Sequence, residues 1–334
     1  TRKESSAASD VYKRQGVSEA TVSHVINGTK YVSPELAARV RKAIEEKGYY
    51  LNQAARCLAT NRSGHLALVV NNLKNPRYAE VAEAMQEEAR KRGYIVSAID
   101  INIFNFNEDA IFDLIARNVD GLFLATYIDS MEPAIRRACA SGIRVVSGCP
   151  EFGRVLKIDY EDSIGEMVRF LAGTGHKRIA FLSGYSLKES SHEKYANFCQ
   201  AMKANDLQVL PELLIDGEMP YIADLDTGFQ AMNQLLERST DVDAVFAVND
   251  LVAIGAMKAL RQRGIRVPED ISVAGCDDIP FASYVEPVLA TINVPKAEMG
   301  KLAAEMLCDI LNNRPCEDHY LKTTFKAGAS IGHA

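Results

Sequence analysis

Long apolar runs are missing from this chain. Its longest, such as residues 66–70, are strand-sized and far below the ~18 consecutive apolar residues of a membrane-spanning helix, so no membrane partner is expected. The opening residues TRKESSAASD are polar and have no apolar signal-peptide core, which points to a cytoplasmic protein. A disulfide or zinc framework is missing too. The seven cysteines, at 57, 139, 149, 199, 276, 308 and 316, are scattered, odd in number and never spaced CxxC, which fits reduced thiols. The chain has no GxGxxG after its first strand, no GxxxxGK[ST] and no GxSxG, and its six histidines show no metal-ligand spacing. No cofactor or metal is expected, and a dinucleotide- or sugar-handling enzyme is the weaker reading.

A basic surplus is also missing from the whole-chain total, where the net charge is −6. Taken whole, that figure argues against a polyanion partner. It hides an asymmetry. Residues 1–63 hold eleven Lys and Arg against six Asp and Glu, a net of +5, and the remainder holds 27 against 38, a net of −11. A small basic unit on a large acidic body points to nucleic acid at the N-terminal end. The 334 residues, 47% hydrophobic and 25% charged, fit two or three globular units.

The first sixty residues read as short helices. In SEATVSHVIN, Ser18 serves as N-cap, Val17 and Val22 are placed as a hydrophobic staple, and Val22, Val25 and Ile26 form one apolar stripe. Ala20, Ser23, His24 and Asn27 face the other way, and Gly28 is a stop. Upstream, residues 10–14 form a short helix ending at Gln15-Gly16, and a glycine turn between two short helices is the helix-turn-helix pattern. A third helix starts with Ser33 as cap, Pro34 in its first turn and Glu35 against the dipole. Leu36, Val40, Ala43 and Ile44 line one of its faces, and Gly48 ends it. Periodicity alone leaves a three-helix interaction module and a DNA-binding unit equally open. Short polar side chains flanked by Lys13, Arg14, Lys30, Arg39, Arg41 and Lys42 would suit a major groove with phosphates on both sides.

The stretch DVYKRQGVSEATVSHVINGTKYVSPELAARVRKAIEEKGYYLNQAARCLA resembles the headpiece of the lactose-repressor (LacI/GalR-type) transcription regulators, nearly continuously from Asp10 to Leu58. The resemblance implies DNA contact by Ser18, Glu19, Ala20, Thr21, Ser23, His24, Asn27 and Tyr31, with Glu19, Ala20 and His24 at base-reading positions. It also implies a hinge over 52–59 that folds as a helix on operator DNA and uses Asn52, Ala55 and Leu58. Leu58 stands where the family wedges a leucine into the minor groove, which unstacks a base step and kinks the duplex. Taken alone, Leu58 reads as a linker leucine packing on the body. The chain departs from the family at Tyr12 and Gln15, where small alanines are usual, and at Ala8, where Ile or Leu is usual. Residues 1–9 are read as foreign to the unit or disordered. The expected division is therefore a headpiece over 1–50, a hinge and linker over 51–63, and a body over 64–334.

In the body, apolar strands alternate with amphipathic helices. Strands are expected at 66–70, 95–99, 121–125, 145–147, 157–159, 179–183, 213–216, 244–248 and 272–275. Helices are expected at 78–92, near 107–118, at 131–141 and at 251–263, among others. This is an α/β pattern of two doubly wound parallel-sheet lobes, with residues 145–147 closing the first and 157–159 opening the second. Ligands bind such sheets beyond the carboxyl ends of the strands. Those positions hold 71–75, Tyr78, Thr126, Tyr127, Asp159, 184–191, Asn249, Asp250, Asp277 and Asp278. The set suits a small hydroxyl-rich or amine-bearing ligand, although Asn249-Asp250 also reads as a plain helix cap.

The family resemblance extends through NPRYAEVAEAM, VDGLFLA, GHKRIAFLSG, VFAVNDLVAIGAMKALRQRGIRVPEDISVAGCDDIPFA and INVPKAEMGKLAAEML. It implies a periplasmic-binding-protein-like core with an effector between its lobes. Arg77 and Tyr78 fall at effector-stacking positions, and Asp159, Asn249 and Asp277 at polar contacts. Lys188, Ser190 and Lys194 match further contacts, and Tyr127 joins them from its strand end. Lys194 is a departure, since arginine is common there and lysine gives up the bidentate fork. The function this implies is a homodimeric repressor on a pseudo-palindromic operator, controlled allosterically by a small molecule of the carbohydrate class. A solute-binding protein shares the body fold but has no basic headpiece.

Overall fold

The computed structural model describes residues 21, 24–25, 30–46, 62–101, 119–127, 129–184, 187, 193–217, 223–238 and 241–334. The expected helices at 10–14 and 107–118 lie outside these residues. So do Ser18, Glu19, Ala20, Ser23, Asn27, Asn52, Ala55 and Leu58 of the DNA-contact set, and Lys188 and Ser190 of the effector set.

The chain separates into two compact units, Thr1–Ser63 and Gly64–Ala334. In the first, Thr21 and His24 are helical and half-buried, and Tyr31 is exposed. Helix α1 (Pro34–Glu46) starts as its sequence dictates: the Ser33 hydroxyl accepts the Leu36 N–H at 3.4 Å and Pro34 takes the first position. Val40 is fully buried on its inner face.

The second unit is built on two wholly parallel sheets. The first contains β1 (His65–Val70), β2 (Ile95–Asp100), β3 (Gly121–Leu124), β4 (Arg144–Ser147), β5 (Arg154–Asp159) and β11 (His319–Lys322), in the order β11-β5-β4-β3-β1-β2. The second contains β6 (Ile179–Leu182), β7 (Leu214–Ile215), β8 (Ala244–Ala247) and β9 (Ser272–Ala274), in the order β7-β6-β8-β9. Parallel strands covered on both faces read as unbroken apolar runs, and β1 shows why. Leu66, Leu68 and Val70 enter one hydrophobic core while Ala67 and Val69 enter another. Phe123 of β3 joins the first core, and Leu122 and Leu124 join the second.

One expectation is corrected here. The strand at 157–159 does not open the second lobe: β5 lies in the first sheet, parallel to β4 on one side and to β11 on the other. The chain passes into the second lobe only after β5, through α4 (Glu161–Gly173). It returns through β10 (Thr291–Asn293) into α8 (Lys296–Leu311), which packs along α2 (Pro76–Lys91). It leaves again through β12 (Thr324–Lys326), paired antiparallel with β10. The cause of the misreading is physical. The partner that captures β5 comes from a distant segment, and no local pattern marks it.

The remaining helices named below are α3 (Glu132–Ala140), α5 (Glu193–Ala204), α6 (Leu225–Arg238) and α7 (Asp250–Gln262). Among the described residues no helix is long and apolar enough to cross a membrane.

Candidate functional site

Each sheet has a point where its strand order reverses, between β1 and β3 in the first and between β6 and β8 in the second. The loops leaving such neighbours diverge and open a crevice at the carboxyl edge. Here both crevices contribute to one cleft of about 180 Å³. The first sheet supplies Asn71, Asn72 and Asn75 after β1, Ala125 to Tyr127 after β3, and Tyr160 after β5. The second lobe supplies Val248 and Asn249 after β8, Asp277 after β9, and Glu193 and Lys194 at the start of α5.

Asp277 is the hub of this cleft. Its side chain is 2% exposed and its φ is +114°, a left-handed conformation that a non-glycine residue adopts at a cost of order 1–3 kcal/mol. The surroundings hold it there. Its backbone N–H donates to Ile292 O at 2.9 Å, and its carbonyl accepts from Lys296 Nζ at 2.8 Å. Its carboxylate reaches across to the first lobe, where Arg77 Nη1 donates to Oδ1 at 2.9 Å and Asn75 Nδ2 donates to Oδ2 at 3.1 Å. Lys194 Nζ stands 3.6 Å from the same Oδ1, donates to Val248 O at 2.8 Å and lies 4.9 Å from the Tyr160 ring centre.

The sequence around α2 explains how Arg77 is placed. Asn75 caps the helix through Oδ1, which accepts the Arg77 N–H at 3.0 Å, and Pro76 fixes the first turn. The cap thus leaves Nδ2 for Asp277. Tyr78, next on the helix, is buried and donates its hydroxyl to Asn71 Oδ1 at 2.8 Å. Burial pushes the Tyr78 phenol up to about 12, so it remains a neutral donor. Burial alone would lower the Lys194 ammonium. The acidic groups facing it, Cys276, Tyr160 and Asp277, hold it above the ordinary lysine range.

The two readings of Asn249 turn out to be compatible. Its Oδ1 caps α7 by accepting the Val252 N–H at 2.8 Å, its Nδ2 donates to Ala223 O at 2.9 Å, and the residue still lines the cleft. Arg77, Tyr78, Tyr127, Lys194, Asn249 and Asp277 all line the cleft. Asp159 is not. Its carboxylate turns to Lys322 of β11 at 2.8 Å and accepts the Glu161 N–H at 3.0 Å, which pins the crossing point between lobes. The Lys322 contact holds Asp159 below the usual carboxylate range. Tyr160, one residue further on, takes the place on the wall. Sequence reasoning missed Tyr160 and Glu193. The signal for Tyr160 was its position just past a strand end, overlooked because the carboxylate beside it drew attention.

Asp250, behind Asp277, is fully buried and accepts from the Ile279 N–H at 2.8 Å and the Thr291 hydroxyl. Burial, reinforced by the Asp277 charge, raises it to about 7. A carboxyl held above its unfolded value contributes stability below about pH 4 that is lost as the pH rises towards 7. The melting temperature is therefore expected to fall between about pH 5 and about pH 8 more steeply in the wild type than in Asp250→Asn. Parallel profiles would remove this group as the cause.

Burial pushes the Cys276 thiol up to about 12, far from a reactive thiolate, and among the described residues no group of His, Cys, Asp and Glu is placed to hold a metal ion. Among the described residues, two donors on the wall, Arg77 Nε and Asn72 Nδ2, are buried with no acceptor.

Comparison with known proteins decides the family. Residues 9–52 match the bacterial regulatory proteins of the lacI family, and residues 168–331 match the periplasmic binding protein-like domain. The chain is 31% identical to the HTH-type transcriptional repressor PurR of Pectobacterium carotovorum over 324 residues, 94% of this chain and 92% of the relative. It belongs to the LacI family. Within that family it is also 34% identical over 317 residues to the HTH-type transcriptional regulator CelR of Thermobifida fusca, covering 90% of this chain and 91% of that one. Its structure resembles the lac repressor dimer bound to operator and the anti-inducer ONPF, with a TM-score of 0.79, 25% identity and coverage of 97% and 98%. It resembles the CelR–cellobiose complex with a TM-score of 0.70 and 30% identity over 96% and 98%. Like other LacI-family members it is a DNA-binding transcriptional regulator, with an N-terminal helix-turn-helix and a periplasmic-binding-protein-like body.

Proposed function

We propose that this protein is a cytoplasmic homodimeric repressor, without catalytic activity of its own, whose hold on a pseudo-palindromic operator is set by a small carbohydrate bound in the Asp277 cleft. The observation that carries this is the cleft itself: a polar, amide-rich crevice bridged from lobe to lobe by one carboxylate. A cleft of about 180 Å³ is below the ~300–1,000 Å³ of drug-sized sites and suits a ligand of sugar size. Aligned amides, tyrosines and charges are the partners that hydroxyl groups need. A carbohydrate that rearranges the Asn75–Asp277 and Arg77–Asp277 bridges alters how the lobes close, and lobe closure biases the 52–59 hinge. The coupling is reciprocal: what the effector does to operator affinity, operator does to effector affinity.

DNA recognition rests on the headpiece. Substituting His24 by Ala is expected to change which operator base is preferred while leaving the dependence of affinity on salt nearly unchanged, because phosphate neutralisation sets the salt slope and base edges set sequence. Binding of randomised half-sites across a salt series measures both. An unaltered base preference removes His24 from base reading.

Pairing of two chains is supported by an apolar face of the body. Leu225, Phe281 and Tyr284 are 48%, 54% and 87% exposed, and they line a groove with Leu251, Ile254 and Val285. Exposed apolar groups clustered in this way mark an interaction surface, and two-fold operators call for two-fold proteins. Tyr284→Asp is expected to sediment as a monomer and to lose tight operator binding. A dimer of unchanged affinity would place the interface elsewhere.

A further inference from the structure

Among the described residues, the interior of the cleft is short of negative charge. Arg77 and Lys194, with side chains 10% exposed, converge on the same oxygen of Asp277. The other carboxylate on the wall, Glu193, is taken by Lys157 at 2.6 Å. Lys296, which lies behind Asp277, has Glu80 at 3.7 Å. Asp250 and Asp278 are absent from the wall; Asp250 accepts from Ile279 and Thr291, and Asp278 pairs with Lys326 at 3.1 Å. Two buried cations thus share one carboxylate, and an uncompensated buried charge is costly unless a ligand supplies its partner.

The hydrogen-bond inventory leans the same way. Among the described residues the cleft wall holds two buried donors without partners, Arg77 Nε and Asn72 Nδ2, and both call for an acceptor; the one buried acceptor without a partner, Glu80 Oε1, lies off the wall. An ionised carboxylate only accepts, and it matches guanidinium and ammonium groups better than a hydroxyl does. The surplus is one positive charge. A carboxylate brings about −1, whereas a phosphate monoester brings about −1.5 to −2 and would leave the balance reversed.

We propose that the ligand of this cleft is an acidic sugar, a hexuronate or aldonate, whose carboxylate is received by Arg77 and Lys194 while its hydroxyls meet the amides and tyrosines of the wall. This rests on the carbohydrate reading above and narrows it. In this arrangement Arg77 selects charge.

The test is ligand binding to the full chain, by thermal unfolding and by titration calorimetry, with glucuronate, galacturonate and gluconate set beside glucose, galactose and glucose 6-phosphate. The acids are expected to raise the melting temperature where their neutral parents do not. Arg77→Met is expected to weaken the acid about 10- to 100-fold, as loss of one charge-assisted contact implies. Arg77→Lys should recover most of the acid's binding. The comparison among ligands on the wild-type chain stands whether or not the variants fold. Neutral sugars binding as well as their acids would overturn the proposal and leave the carbohydrate reading intact. Binding of the phosphate alone would overturn it too. If no sugar of any kind binds, both readings fall.

Discussion

Asp277→Ala is expected to lower the melting temperature of the protein by on the order of 10 °C and to abolish its response to effector. The substitution removes the carboxylate on which Arg77 and Lys194 converge and leaves both cations buried. Breaking a buried ion pair by deleting one partner costs about 3–5 kcal/mol, and in a domain of this size each kcal/mol is worth roughly 2–4 °C. Alanine also tolerates the +114° backbone poorly. Asp277→Asn keeps an acceptor and tolerates that backbone better, so its cost is expected to be smaller. Adding Arg77→Met to Asp277→Ala should return part of the lost stability, because one stranded charge is removed with it. Melting curves of the four proteins check this, and a drop of under about 2 °C in Asp277→Ala would deny Asp277 its role as the tie between lobes. At temperatures where the variant remains folded, operator binding is expected to persist while effector no longer changes it.

Gly255→Ala is expected to be the other strongly damaging change, for a steric reason. Helices α6 and α7 meet through reciprocal glycines. A Cβ on Gly255 would lie 2.1 Å from Leu225 O and 2.9 Å from Phe229 N, and one on Gly228 would lie 2.0 Å from Val252 O. These neighbours are backbone and cannot turn aside, so the helices must separate. Overpacking of this kind costs about 1–3 kcal/mol or more, against the ~1 kcal/mol that alanine normally gains over glycine inside a helix. The damage should reach the cleft, because Ala223, just before α6, accepts from Asn249 at the start of α7. Gly165→Ala is the control: that helical position has nothing within 4 Å and should gain stability by about 0.5–1 kcal/mol. Denaturant unfolding and ligand titration of both variants separate the two effects. If Gly255→Ala is as stable as the wild type, the close helix contact is not rigid.

The core and much of the cleft were legible because they follow from local rules. Strands such as β1 and β3 declare themselves as short unbroken apolar runs, since both faces are covered. Arg77, Tyr78, Asn249 and Asp277 declare themselves by standing at strand ends or at the helix starts beside them. What was not legible depends on partners far along the chain. The capture of β5 by β11, and the diversion of Asp159 towards Lys322, are long-range pairings with no local signature. Lys296, which ties the backbone of Asp277 and Asp278, is silent in sequence for the same reason. The convergence of Arg77 and Lys194 on one carboxylate was also hidden: each residue was a plausible contact, but their shared oxygen sets the charge of the site. The charge partition between residues 1–63 and the body, by contrast, needed only counting.

Control of the operator-binding unit by a ligand in the Asp277 cleft can be read in one measurement. The full chain would be used to select duplexes from a random-sequence library, and the complex with the enriched sequence titrated with the acidic sugars. The enriched sequence is expected to be two-fold symmetric, with half-sites about one helical turn apart. Operator affinity is expected to shift by about 5- to 150-fold with a ligand that binds the wild type, and Asp277→Ala is expected to bind the same sequence without the shift. An enriched sequence lacking symmetry, or an operator affinity indifferent to every ligand that stabilises the protein, would contradict it.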